Sequence, residues 1–225
     1  MEVQANFKKI QENIKQICNN INRNPEEITV IGVTKYVTIE RAQEAVDAGV
    51  KNLGENRLEG FQEKYATIAN NALWHFIGSL QSRKVKELIN ELDYIHSLDR
   101  KSLAKEINKR ANHTVPCFVQ VNVSGEESKH GLSPEQVHTF IEQLKNYNKV
   151  EVVGLMTMAP YVDDETRIRN TFRALRELRD EIKGENWDHA PCQYLSMGMS
   201  NDYQIAIEEG ATHIRIGSSL VGSTK

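Results

Sequence analysis

The chain has 225 residues, 39% of them hydrophobic and 26% charged, with a formal net charge of −3. That length suits one barrel-sized domain with a substantial core. The weak acidic excess argues against a general nucleic-acid or membrane-surface role, because counterion release needs clustered Lys and Arg. No stretch reaches bilayer-spanning length, and the polar start Met1–Asn6 lacks a signal-type apolar run. Cys18, Cys117 and Cys192 are too sparse for a disulfide framework or a zinc knuckle, which suits a reducing compartment. The seven histidines show no ligand spacing. A cytoplasmic protein with no metal site is expected.

Phe7, Ile10, Ile14, Ile17 and Ile21 recur at spacings of three and four, which predicts an extra N-terminal amphipathic helix within 1–23. Asn24-Pro25 ends it. Eight apolar runs follow: Ile28–Val33, Val50–Leu53, Leu73–Ile77, Tyr94–Ile95, Val115–Val123, Val150–Met156, Gln193–Leu195 and His213–Ile216. Several are β-branched and nearly continuous, as parallel strands buried on both faces are. Helical signatures lie between them. Ser133-Pro134-Glu135-Gln136 forms a capping box with a first-turn proline. Ile168, Phe172, Leu175, Leu178 and Ile182 make an apolar stripe, and Gly49 and Gly210 sit where helices would end in a left-handed residue. The basic spot Arg83-Lys84-Val85-Lys86 fits the solvated face of a helix. No linker divides the chain. An open doubly wound sheet competes, but eight strand–helix units in this length favour a closed (β/α)8 TIM-type barrel over 27–222, one domain across 1–225.

Barrel chemistry gathers at the carboxyl ends of the strands. Those ends carry Thr34-Lys35, Glu55-Asn56-Arg57, His75 with Gly78, Ser97, Asn122, Met156-Thr157, Ser196 to Ser200, and Arg215 with Gly217 and Ser218. An amine at the tip of a buried strand is partly desolvated, which exposes a nucleophile at Lys35; a lysine snorkelling from the mouth would look the same. Two segments suit phosphate. Ser196–Asp202 runs from the seventh strand into a helix, with Ser200 a candidate cap, and Arg215–Ser219 leaves the eighth strand through a small-residue loop. Barrels often bind phosphate with these two loops. Against this, Gly198 and Gly217 could only make turns, Arg215 could be an ion-pair residue, His75 a hydrogen-bonded core histidine, and Asn56 turn chemistry.

The segments Val30–Lys35, Gly54–Arg57, Trp74–Lys84, Val121–Val123 leading to Ser128–Gly131, Gly154–Met158, Leu195–Asp202 and Arg215–Gly217 resemble, in order, those of the pyridoxal 5′-phosphate homeostasis proteins. The likeness runs from about Pro25 to Gly222. It implies a barrel similar to the N-terminal domain of alanine racemase, with pyridoxal 5′-phosphate (PLP) held as a Schiff base on Lys35. It also implies that Arg215 faces the pyridine nitrogen, that Ser200, Gly217 and Ser218 hold the phosphate, that Asn56 lies beside the cofactor, and that His75 lies near it. The implied function is to hold the cofactor in the cytoplasm and pass it to PLP-dependent apo-enzymes, as a monomer. Catalysis is not expected. An arginine holds the ring nitrogen unprotonated, and the second base that racemisation needs comes, in alanine racemase, from a further domain for which little chain remains here. The competing readings are a small PLP-dependent racemase or lyase, and a cofactor-free barrel that uses Lys35 on a phosphorylated sugar.

Overall fold

The computed structural model describes residues 2–126 and 129–222. Ser128 of the Ser128–Gly131 motif lies outside them. The apolar runs form β1 (Thr29–Val33), β2 (Asn52–Glu55), β3 (Leu73–Phe76), β4 (Tyr94–Leu98), β5 (Val115–Gln120), β6 (Val150–Met156), β7 (Tyr194–Met199) and β8 (His213–Ile216). All pair in parallel with their sequence neighbours, and β1 also pairs with β8, so the sheet closes into the expected barrel. In the closing register Ile31 stands between Asn52 on β2 and Arg215 on β8. The shortest apolar runs misjudged β4 and β7. Each continues through polar inward positions, His96 on one and Ser196 on the other, that carry no hydrophobic signal.

The helices are α1 (Glu2–Asn20), α2 (Ile39–Asp47), α3 (Leu58–Ile68), α4 (Lys101–Arg110), α5 (Pro134–Glu142), α6 (Glu165–Gly184), α7 (Tyr203–Glu208) and α8 (Ser218–Val221). The capping box at α5 is present, with Gln136 Oε1 accepting from the Ser133 N–H at 3.1 Å. Gly49 and Gly210 both adopt φ +100°. The basic spot after β3 is not an α-helix. It is a 3₁₀ run, Ser82–Glu87, in which Val85 is buried and Lys84 pairs with Glu59 at 2.9 Å. None of the described helices is long and apolar enough to cross a membrane.

The eighth outer helix has only four residues and cannot cover its share of the sheet. Helix α1 supplies that cover by packing on α8, α7 and α2. Val3, Phe7, Ile10, Ile14 and Ile17 are buried there. Asn6 Nδ2 donates to the Leu220 carbonyl and Asn13 Nδ2 to the Tyr203 hydroxyl, both at 3.0 Å. The N-terminal helix therefore braces the elements that follow β7 and β8.

Most buried apolar side chains lie between the barrel and the helices. Inside the barrel the apolar part comprises Phe118, Val153 and Met156 with Tyr94 against them, together with Ile31, whose register partners Asn52 and Arg215 both point inward. The rest of the lumen is polar, although such barrels are commonly filled by aliphatic layers.

Two outcomes test this packing. Strand β6 passes β7 so closely that a Cβ on Gly154 would collide with the Tyr194 carbonyl. Gly154→Ala should cost roughly 2–3 kcal/mol in urea unfolding, the usual scale of overpacking. Glu209 is buried between Arg169, Arg173 and Arg176, at 3.2, 3.1 and 3.0 Å. Burial alone would raise its carboxyl, but the hydrogen bonds and charge of these arginines outweigh it and hold it below its ordinary value. A depressed carboxylate gives stability that is present above the unfolded value, about 4.3, and lost as pH falls through the folded one. Glu209→Gln should flatten the acid limb of the stability–pH curve below pH about 4, measured by thermal melts.

Candidate functional site

The tip of β1 is held from its neighbour. The Thr34 N–H donates to the Gly54 carbonyl at 3.1 Å, and its hydroxyl donates to Glu55 Oε1 at 2.6 Å. Lys64 Nζ from α3 lies 2.9 Å from the same oxygen, and all three side chains are buried. Beyond this anchor the chain turns sharply through Tyr36, whose φ of 80° is unusual for an aromatic residue and strained by about 1–3 kcal/mol. Lys35 sits half-buried between anchor and turn, its Nζ 5.2 Å from the Tyr36 ring centroid. It lines a cavity of about 480 Å³ with Val33, Tyr36, Gly217, Ser218 and Val221. That size falls within the roughly 300–1,000 Å³ of small-molecule sites.

Gly217 and Ser218 open α8, whose first N–H groups have no acceptor within the helix. The other loop reaches them through Ser200, as Ser219 Oγ donates to Ser200 Oγ at 3.0 Å. Ser200 is not the helix cap. Asp202 takes that position, α7 starts at Tyr203, and Asp202 also accepts from the Met199 N–H. The turn is possible because Gly198 adopts φ +96°, where a Cβ would come within 2.5 Å of Ala206 Cβ. Lys35, Gly217 and Ser218 thus share one cavity, and Ser200 is tied to its rim.

Arg215 lies lower, buried in the lumen. Its Nη1 donates to Ser196 Oγ at 2.6 Å and its Nη2 to the Thr157 carbonyl at 3.0 Å. Burial pushes the guanidinium down to about 10, opposed by the charge of Asp202, so it stays cationic at neutral pH. Ser196 Oγ also meets His96 Nδ1 at 2.8 Å, and His96 Nε2 meets His75 Nδ1 at 2.9 Å. His75 is therefore no mouth residue. Both its ring nitrogens are engaged below Arg215, the second with Asn52 Oδ1 at 2.9 Å, and its ring stacks on Tyr94 at 4.5 Å. This is the hydrogen-bonded core histidine that its surroundings allow.

Asn56 follows β2 and lies against the exit of β3, where a Cβ on Gly78 would come within 2.7 Å of its Cα. It lines a smaller depression, of about 250 Å³, with Ser79 and Lys84, separate from the Lys35 cavity. Asn122 turns to its own loop, donating to the Glu126 carbonyl at 2.9 Å. Sequence reasoning missed His96, Ser219 and the Glu55–Lys64 pair. His96 was detectable as an inward position, two residues from Tyr94 and on the opposite face from Ile95. Ser219 meets Ser200 across two loops, and Glu55–Lys64 joins a strand to the next helix with no motif to announce it. A depression of about 550 Å³ at the amino end of the barrel, lined by Phe7, Lys15, Glu26 and Asn52 among others, is larger than the Lys35 cavity. It lacks the strand-tip amine and the converging hydroxyls, so the smaller cavity is the better site.

Residues 5–225 match the family "Alanine racemase, N-terminal domain". The chain is 43% identical to the pyridoxal phosphate homeostasis protein of Aquifex aeolicus, over 96% of both chains. Among solved structures, one of an unknown protein from Bifidobacterium adolescentis superposes with a TM-score of 0.92 at 32% identity, covering 97% of this chain and 94% of the other. PipY of Synechococcus elongatus, solved with PLP bound, gives 0.82 at 28% identity, covering 93% and 99%. Both the family match over nearly the whole chain and the full-length identity to the Aquifex protein lead to one conclusion: the chain belongs to the pyridoxal phosphate homeostasis protein family, within the group that shares the N-terminal domain of alanine racemase.

Proposed function

We propose that this chain binds pyridoxal 5′-phosphate in the cavity between β1 and β8, on Lys35, and acts as a holder of the cofactor rather than as an enzyme. The observation that carries the reading is the sharing of one cavity by Lys35, Gly217 and Ser218, with Ser200 joined to it through Ser219. The donor set fits the group: one amine for an aldehyde, serine hydroxyls and a helix start for a phosphate, and a buried cation below. PLP bound to PipY and the name carried by the Aquifex relative support it.

When bound, the cofactor supplies an aldehyde that condenses reversibly with an amine. Lys35 provides that amine, held in place by the Thr34–Glu55–Lys64 anchor and the Tyr36 turn. Ser200 and Ser218, with the first N–H groups of α8, hold the phosphate. Arg215 presents its charge to the ring nitrogen and withholds a proton from it, which weakens stabilisation of a substrate carbanion. Asn56 stands at the neighbouring strand tip as a flanking residue. The reading extends to a cytoplasmic monomer that passes its cofactor to PLP-dependent apo-enzymes. A reversible bond and a site open at the barrel mouth both suit release.

The purified protein should be yellow, and borohydride should fix the cofactor on the peptide that contains Lys35. Label on another lysine, or a colourless chain that refuses added cofactor, would sink the assignment. Ser200→Ala and Ser218→Ala should each weaken retention about tenfold, the scale of one hydrogen bond to a charged group, measured by equilibrium dialysis. Amino-acid turnover that vanishes with Lys35→Ala would instead make the chain an enzyme.

A further inference from the structure

Beneath Arg215, four side chains from four strands run in single file across the lumen: Ser196 on β7, His96 on β4, His75 on β3 and Asn52 on β2. Their chemistry gives the file a direction. A guanidinium can only donate, so Ser196 Oγ accepts from Arg215. Arg215 and His96 are the hydrogen-bond partners of that oxygen among the described residues, so the hydroxyl proton goes to His96 Nδ1. A neutral imidazole that accepts at Nδ1 carries its proton on Nε2, and His96 Nε2 donates to His75 Nδ1. By the same rule His75 donates from Nε2, and its partner is the carbonyl oxygen of Asn52. Both ends of the file demand the same polarity.

We propose that His96 and His75 are positioning residues which, as neutral Nε2–H tautomers, fix Ser196 and through it the orientation of the Arg215 guanidinium toward the bound pyridine ring. The inference rests on the placement of that ring above Arg215. An imidazolium at His96 would aim a proton at Ser196 Oγ, which already accepts from Arg215, and would add a second cation beside the first. The surroundings oppose this. Phe118 stacks on His96 at 4.3 Å and Tyr94 on His75 at 4.5 Å. His213 faces both rings from β8, with Tyr194 behind it, while Arg215 lies above and Asp202 beyond Arg215. Burial, then neighbouring histidines and, for His96, Arg215, hold both imidazoles well below the ordinary histidine value.

Two measurements test the proposal. In the full chain without cofactor and labelled with ¹⁵N-histidine, long-range proton–nitrogen correlation should show both rings neutral with Nε2–H at pH 7, and still neutral where an ordinary exposed histidine is already protonated. An Nδ1–H tautomer or an imidazolium at His96 at pH 7 overturns the proposal. In the chain loaded with pyridoxal 5′-phosphate, His96→Leu should move the visible absorption maximum and loosen the cofactor about tenfold. His96→Gln keeps one acceptor and one donor and should restore the wild-type band. Should His96→Leu not fold, Ser196→Ala carries the same comparison, since Arg215 then loses its acceptor for the removal of one oxygen. Identical bands in wild type and the disrupting variant overturn the positioning role, because a merely structural contribution would alter stability and leave the spectrum alone. A wild-type chain that takes up no cofactor overturns it through its premise, and an intact Nε2–H pair distinguishes that failure from a failure of the histidine file.

Discussion

The constraint from which the rest of this structure follows is the burial of a guanidinium inside a closed barrel. A charge removed from water costs several kcal/mol unless it is hydrogen-bonded and its field is balanced. Arg215 meets that demand with a serine hydroxyl and a main-chain carbonyl, while Asp202 offsets its field. Ser196 can serve only if its own proton has an acceptor, and His96 provides one. His96 in turn needs an acceptor, and so does His75, until Asn52 closes the sequence at the amino end of the barrel. One buried charge thus sets the character of a lumen that aliphatic layers would otherwise fill.

With the lumen polar, the apolar stabilisation moves outward to the layer between strands and helices. That explains the weight carried by α1. The last strand–helix unit is truncated to a four-residue α8, and the surface it leaves is covered by a helix from the other end of the chain. The bonds from Asn6 to Leu220 and from Asn13 to Tyr203 make the cover directional. The loops after β7 and β8, joined by Ser200 and Ser219, consequently rest on a braced base.

The β1 side is stiffened differently. Glu55 takes a hydrogen bond from Thr34 and an ion pair from Lys64 on one oxygen, in a setting with little water to screen them. This pins Thr34, the residue between the end of β1 and Lys35, and the strained turn at Tyr36 then fixes where the chain leaves. A lysine carries considerable rotamer entropy, about 2 kcal/mol, so a fixed backbone is what gives its amine an address.

What the sequence determined by itself is the set of elements and which polar groups stand at the strand ends. Apolar runs and amphipathic stripes are local, and eight alternations in this length leave few architectures, so closure, the N-terminal helix and the placing of Lys35, Gly217 and Ser218 at strand ends were all legible. The capping box at Ser133 and the left-handed glycines at 49 and 210 were legible because φ preference and cap chemistry act within a few residues. What only the tertiary structure decided is which inward residues meet. His75 looked like a mouth residue because it stands near the end of an apolar run. Strand tilt and register set it opposite Tyr94 and below Arg215, and neither is written in any local pattern. Ser200 suited a cap, yet a helix starting at Tyr203 freed it to meet Ser219. The division has one cause. Periodicity encodes which face of an element is buried, while partners across a closed lumen depend on how eight strands stagger, a property of the whole sheet.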